Sequence, residues 1–271
     1  MKEEAIMKKA IIIAGTFLTA VLSAQVTELN KVTDWNGSGC ILKDEALTFS
    51  GRWSYVSSIP MLKIEPAAQY IYEFEFKGPE NPSRPLKITA SVTSYDKDRK
   101  IIQSYNVLSF AGSEAKLSRE AKPGDKELWL KDAEKWKSDS WFSIAFNVKD
   151  NYADLPNRDV MNSNIRKIET VGNEQKITLK TPMKKAYPAG TCVRQHVWSG
   201  DAVVFTAPVT SKWTKKSGTV TGLIGANPYE TGRFWHDAAY FRPSFAVHPV
   251  TDDRIQIRNV RITVKKADSI F

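Results

Sequence analysis

Apolar and polar residues alternate with a period of two along most of this chain, and no other feature limits its fold as much. From Gln69 to Lys77, the residues Tyr70, Tyr72, Phe74 and Phe76 alternate with Ile71, Glu73, Glu75 and Lys77. From Leu86 to Ser94, the residues Leu86, Ile88, Ala90 and Val92 alternate with Lys87, Thr89, Ser91 and Thr93. Successive side chains on a strand point to opposite faces, so each segment predicts a strand with one face in a core. Gly78, Pro79, Asn81, Pro82 and Pro85 break the chain between the two. Asp96-Lys97-Asp98 turns it into a further strand over Ile101–Ser109. Near the end, Ile255 and Ile257 have one parity and Val260, Ile262 and Val264 the other, which predicts a bulge at Arg258-Asn259. Helical spacing is confined to one short turn at Asp132–Lys137. The fold class is therefore all-β.

The N-terminus follows a different rule. Lys8 and Lys9 precede an apolar run from Ala10 to Leu22, followed by Ser23, Ala24 and the polar Gln25. That is the order of a secretory signal peptide, residues 1–24, cleaved after Ala24. The run is shorter than the ~20 apolar residues of a membrane span. Export as a secreted, periplasmic or cell-surface protein is expected. The net charge of the whole chain is +9; residues 1–24 carry three lysines and two glutamates, so cleavage leaves +8. A basic protein outside the cell meets glycans rather than nucleic acid, and an acidic polysaccharide suits the charge; solubility alone is the competing explanation. Cys40 and Cys192 lie in strand-like surroundings far apart in sequence. Geometry decides whether they pair, and buried free thiols are the simpler expectation.

Residues 115–198 have a pattern of their own. Strands are expected at Leu128–Leu130, Trp141–Val148, Ile165–Val171, Ile177–Leu179 and Cys192–Val197, with turns at Lys122-Pro123-Gly124-Asp125 and Tyr187-Pro188-Ala189-Gly190-Thr191. They read as a small β domain inserted between two halves of one β-sandwich, residues 25–114 and 199–271.

Several segments of those halves match a known pattern: Trp213 before Ser217-Gly218, Gly232-Arg233-Phe234-Trp235, Arg242-Pro243-Ser244-Phe245, and a closing strand around Ile257–Val264. Ile64-Glu65-Pro66 before Tyr70-Ile71-Tyr72-Glu73-Phe74, and Tyr95-Asp96 before a turn, add to it. Together they resemble the jelly-roll, galactose-binding-like carbohydrate-binding modules of secreted polysaccharide-degrading enzymes. The resemblance implies a jelly-roll β-sandwich whose partner is a polysaccharide or cell-surface glycan. Many such modules carry an acidic pair in the last strand beside a structural calcium. Here that place reads Arg258-Asn259, which argues against calcium, although Asp252 and Asp253 lie upstream. No cofactor is expected. The insert resembles small β modules of phage-tail and bacterial surface proteins, which implies a spacer or contact role.

The segment Arg233–His248, read as a strand, puts Trp235, Ala239, Phe241, Phe245 and Val247 on an apolar face. His236, Ala238, Tyr240, Arg242, Ser244 and His248 then share the other, with Ala238 leaving a trough. His236, Tyr240 and Arg242 are candidate ligand residues, because imidazole, phenol and guanidinium hydrogen-bond sugar hydroxyls and carboxylates. Pro243 can interrupt the alternation. Trp53, Tyr55 and Trp198 are expected to be accessible rings for sugar stacking, whereas Trp35, Trp129 and Trp213 read as core or hinge. Asp154 and Asn157 read as a turn. Carbohydrate binding without catalysis is the first reading. The second is a polysaccharide lyase in which Arg242 neutralises the substrate carboxylate, His236 is the base and Tyr240 the acid. The third is a structural surface protein. Glu73 and Glu75 read as outward, solvated residues rather than a hydrolase pair. No GxSxG or HExxH string occurs.

Overall fold

Most of the strands that the alternation predicts do form, because each buries one face against another sheet. The computed structural model describes residues 24–36, 40–49, 55–224, 230–248 and 254–266. The segment read as a signal peptide lies outside them apart from Ala24, as do Trp53, Asp252 and Asp253. In chain order the strands are β1 (Gln25–Glu28), β2 (Trp35–Asn36), β3 (Cys40–Lys43), β4 (Ala46–Phe49), β5 (Tyr55–Ser58), β6 (Leu62–Lys63), β7 (Ala68–Lys77) and β8 (Lys87–Tyr95). The one-turn helix α1 (Ser104–Val107) follows, then β9 (Ala115–Leu117), β10 (Glu127–Lys131), β11 (Phe142–Phe146), β12 (Val160–Met161), β13 (Ile165–Val171), β14 (Glu174–Leu179) and β15 (Cys192–Val197). The chain closes with β16 (Ala202–Pro208), β17 (Thr214–Thr221), β18 (Tyr240–His248) and β19 (Ile255–Lys266).

Among the described residues these strands form three antiparallel sheets. The first has the order β17-β7-β19-β4-β3, with β1 added on β19; the second has the order β16-β8-β18-β5-β2, with β6 added on β18. The chain crosses between these two sheets repeatedly, from β7 to β8, β16 to β17, β17 to β18 and β18 to β19, a route compatible with a jelly roll. Their facing side chains form one core, a β-sandwich. Tyr70 meets Phe241 edge-on at 5.0 Å, Trp35 lies 4.4 Å from Phe245, and Phe74 and Phe76 are fully buried. Each such ring pair adds about 0.5–1.5 kcal/mol to the burial of its surface.

The third sheet, β12-β11-β15-β9-β10-β14-β13, comes wholly from residues 115–197 and has a core of its own around Leu128, Leu130, Ile144, Phe146, Ile177 and Val193. It is tied to the sandwich through the connector that follows β8. Arg158 pairs with Asp96 at 2.7 Å, Asn157 N donates to the Asn106 carbonyl at 2.8 Å, and Val197 N donates to the Leu108 carbonyl at 2.8 Å.

The bulge in β19 falls where the parity change predicts it. Pairing with β7 shifts between Arg258 and Arg261, and Asn259 takes a positive φ of 53°. Ile255, Ile257, Val260 and Ile262 are consequently all buried. On the outer surface Arg258 and Asn259 pair with Glu75, and Lys215 and Arg261 with Glu73. The hydrogen bonds from Arg258 and Asn259 hold the Glu75 carboxyl below the usual carboxylate range.

Two expectations need correction. Ile101–Ser109 is not a strand: Ile101 makes an isolated bridge and Ser104–Val107 coils into α1, with Asn106 Oδ1 accepting from Gln103 N at 2.9 Å. The connector has to turn toward the third sheet there, and the Asn side chain closes that turn. Nor is Arg233–Ala239 a strand. Trp235–Ala238 is a turn in which Ala238 N donates to the Trp235 carbonyl and Asp237 has φ 59°. Ala238 is buried in the sandwich core rather than flooring an open trough.

Candidate functional site

The site is built on β18, which runs between β8 on one side and β5 and β6 on the other. Tyr240 pairs with Tyr95, Arg242 with Thr93, Ser244 with Ser91 and Ser57, and Ala246 with Tyr55. Directly opposed residues share a face. Tyr240, Arg242 and Ser244 therefore stand with Tyr95, Thr93 and Tyr55 on the outer surface of the second sheet. Phe241, Pro243 and Phe245 are buried on the inner one. The alternation continues unbroken through Pro243, which lacks an N–H but keeps its register opposite Val92.

Asp201 enters this face from the loop before β16. Its Oδ2 accepts hydrogen bonds from Tyr55 Oη at 2.7 Å, Thr93 Oγ1 at 2.6 Å and Ser244 Oγ at 2.9 Å. Three strands are thus tied to one carboxylate oxygen, and Ser244 is fully buried beneath it. Burial, and then the charge of Asp201, push the Tyr55 phenol well above its ordinary pKa. Tyr55 therefore remains a donor at any physiological pH and cannot serve as a base.

Beside this node stand two arginine–tyrosine pairs. The Arg242 guanidinium lies 5.3 Å from the Tyr95 ring centre, and that of Arg99 lies 5.4 Å from Tyr240. Arg242 and Tyr240 are half-buried, and Arg242 Nε is buried with no hydrogen-bond partner. No carboxylate pairs with either guanidinium among the described residues. Burial raises the Tyr95 phenol, the Arg242 charge pulls it down, and Asp201 pushes it up again, which marks the three as electrostatic neighbours.

Trp198 and Trp141 form a second feature. They flank the paired strands β15 and β11 at one end, 42% and 55% exposed, with ring centres 5.4 Å apart and planes 33° apart. Trp198 N donates to the Trp141 carbonyl at 2.6 Å.

Of the expected residues, Tyr240 and Arg242 share one face with Tyr55, and Trp198 is exposed. Tyr55 is a half-buried hydrogen-bonding residue rather than an open ring. His236 belongs to the turn before β18 and so does not share the strand's alternation. Trp53 falls outside the described residues. Trp35 is buried, whereas Trp129 and Trp213 are half-buried and carry Arg119 at 3.8 Å and Arg258 at 4.0 Å over their rings. Cys192 is a free, half-buried thiol. Asp154 and Asn157 hydrogen-bond each other at 3.1 Å within the third sheet's connections. Sequence reasoning missed Asp201, Tyr95, Arg99 and Trp141. Asp201 follows Trp198-Ser199-Gly200 in a short loop with no periodicity to mark it, and Arg99 sits at a tight turn with φ 59°.

Among the described residues no group of three or more His, Cys, Asp or Glu side chains is placed to hold a metal ion, and no helix is long and apolar enough to cross a membrane. Compared with protein-family models, with curated proteins and with solved structures, the chain matches none of them.

Proposed function

We propose that this protein binds carbohydrate, and an acidic polysaccharide in particular, on the outer face of its second sheet. The observation that carries this reading is the pair of guanidiniums, Arg242 on Tyr95 and Arg99 on Tyr240, which lack a carboxylate partner among the described residues. A guanidinium held over a ring is fixed in orientation and keeps its charge unpaired, the arrangement that suits a sugar carboxylate or sulfate. The Tyr55–Asp201 node beside it stiffens the floor. Export after loss of residues 1–24 belongs to the same reading, and N-terminal sequencing of protein recovered outside the cytoplasm should begin at Gln25.

The test is a panel of immobilised uronate, sulfated and neutral polymers. Retention on an acidic polymer is expected, with affinity about tenfold or more weaker in Arg242→Gln, since a charge-assisted hydrogen bond contributes about 1.5–3 kcal/mol. No retention on any polymer ends the reading.

One observation favours the lyase alternative: a guanidinium able to neutralise a uronate lies next to the phenols of Tyr95 and Tyr240. His236, outside the strand, would have to approach from its turn. Ultraviolet absorbance from an unsaturated product, abolished in Tyr240→Phe while binding persists, would establish it.

A further inference from the structure

We propose that Trp141 and Trp198 form a second stacking subsite for the same glycan, so that the third sheet supplies part of the binding surface rather than acting as a spacer. The inference rests on the carbohydrate reading and extends it to an oligosaccharide spanning two parts of the fold.

Three observations carry it. The two indoles are exposed although each could bury about 150–250 Å² elsewhere, and such exposure of adjacent large rings marks a contact surface. Their pyrrole N–H groups also have no hydrogen-bond partner among the described residues. Trp35 and Trp136 donate theirs to the Leu29 and Ser113 carbonyls at 3.2 and 2.8 Å, whereas neither Trp141 nor Trp198 does so to any described residue. Finally, the pair adjoins the arginine–tyrosine face. Asp201 lies three residues on from Trp198, a reach of at most about 11 Å. Ser199 between them is fixed on Ser104 by hydrogen bonds of 2.7 and 2.9 Å.

The surroundings favour a sugar over a protein. Ser140, Ser199 and Gly200 beside the rings are exposed and polar or small. A stable protein contact needs about 800 Å² on each partner around an apolar centre. Two tilted rings within a polar rim instead offer flat faces to the C–H surface of a pyranose and N–H donors to its hydroxyls.

The experiment measures binding of the unaltered chain, Trp141→Ala, Trp198→Ala and the ring-retaining Trp141→Phe and Trp198→Phe. The probes are galacturonate, sulfated galactan and cellulose oligomers, each as disaccharide and hexasaccharide. Both alanine variants should keep the unaltered chain's melting temperature, because the rings are exposed. They should weaken the hexasaccharide about tenfold or more while leaving the disaccharide unchanged, and the phenylalanine variants should recover most of the loss. Equal losses on both lengths, or on neither, overturn the inference while the carbohydrate reading stands. A concentration-dependent dimer that disappears in Trp141→Ala assigns the rings to a protein contact and overturns it too. Failure of the unaltered chain to bind any oligomer removes both proposals.

Discussion

Arg194 is a fully buried cation, and its surroundings show what such a residue requires. Nη2 meets Asp154 Oδ2 at 3.0 Å, Nε donates to His196 Nε2 at 3.2 Å, and the guanidinium lies 4.6 Å from the Tyr152 ring centre. Removing one partner of a buried pair strands the other charge, at a cost of about 3–5 kcal/mol. Asp154→Ala should therefore lower the urea unfolding free energy by roughly that amount, and double replacement with Arg194→Met should recover much of it. His196 is held neutral: Nδ1 donates to the Tyr105 carbonyl at 2.8 Å, which leaves Nε2 to accept from Arg194. Burial and then the Arg194 charge lower its pKa from 6.5 to about 4. Because the folded pKa is depressed, the unfolded chain takes up the proton first as pH falls. Stability conferred by the neutral imidazole is complete above pH 6.5 and is lost progressively toward pH 4. The loss is about 3 kcal/mol. His196→Gln, which keeps a donor and an acceptor, should flatten that part of the stability profile in urea titrations from neutral to mildly acid pH.

At the scale of elements, backbone conformation sets the entry to β18. Gly232 has φ +70°, and a Cβ there would stand 2.8 Å from the Thr219 carbonyl oxygen. Gly232 N and O also bond Val203 O and Thr221 N, at 2.9 and 3.0 Å, so the loop cannot shift aside. Gly232→Ala combines left-handed strain with a backbone clash and should destabilise by about 2 kcal/mol or more. Gly190→Ala is the control: φ is +86° but nothing lies within 4 Å of the added carbon. Its cost should be limited to conformational strain, about 1 kcal/mol, read from the same denaturation midpoints. The β19 bulge works similarly. One extra residue, Asn259 at positive φ, lets two stretches of opposite parity face the same core.

For the molecule as a whole, a net charge of +9 makes ionic strength a direct probe of the proposed partner. Binding to a polyuronate should weaken as salt rises and shortens the Debye length from about 10 Å at 0.1 M to about 3 Å at 1 M. Affinity for a neutral oligomer stacked on Trp141 and Trp198 should hardly change. Calorimetry of both ligand types across that salt range separates the two contributions, and identical salt dependence would argue against an arginine-led site.

The all-β class, most strand positions in β7, β8, β10, β13 and β15, and the β19 bulge were legible in the sequence, because a half-buried strand writes its environment into a local period of two. So was the shared face of Tyr240 and Arg242, since neighbours two apart on one strand always point the same way. The turn at Trp235–Ala238, the coiling of Ser104–Val107 and the companions of that face were not. Tyr95, Arg99 and Asp201 meet Arg242, Tyr240 and Tyr55 only through pairing between β8, β18 and β5 and the return of the chain from the third sheet, and Trp141 meets Trp198 only through the register of β11 with β15. Local pattern is set by which side faces water. Partnership is set by long-range register, which no short window of sequence contains.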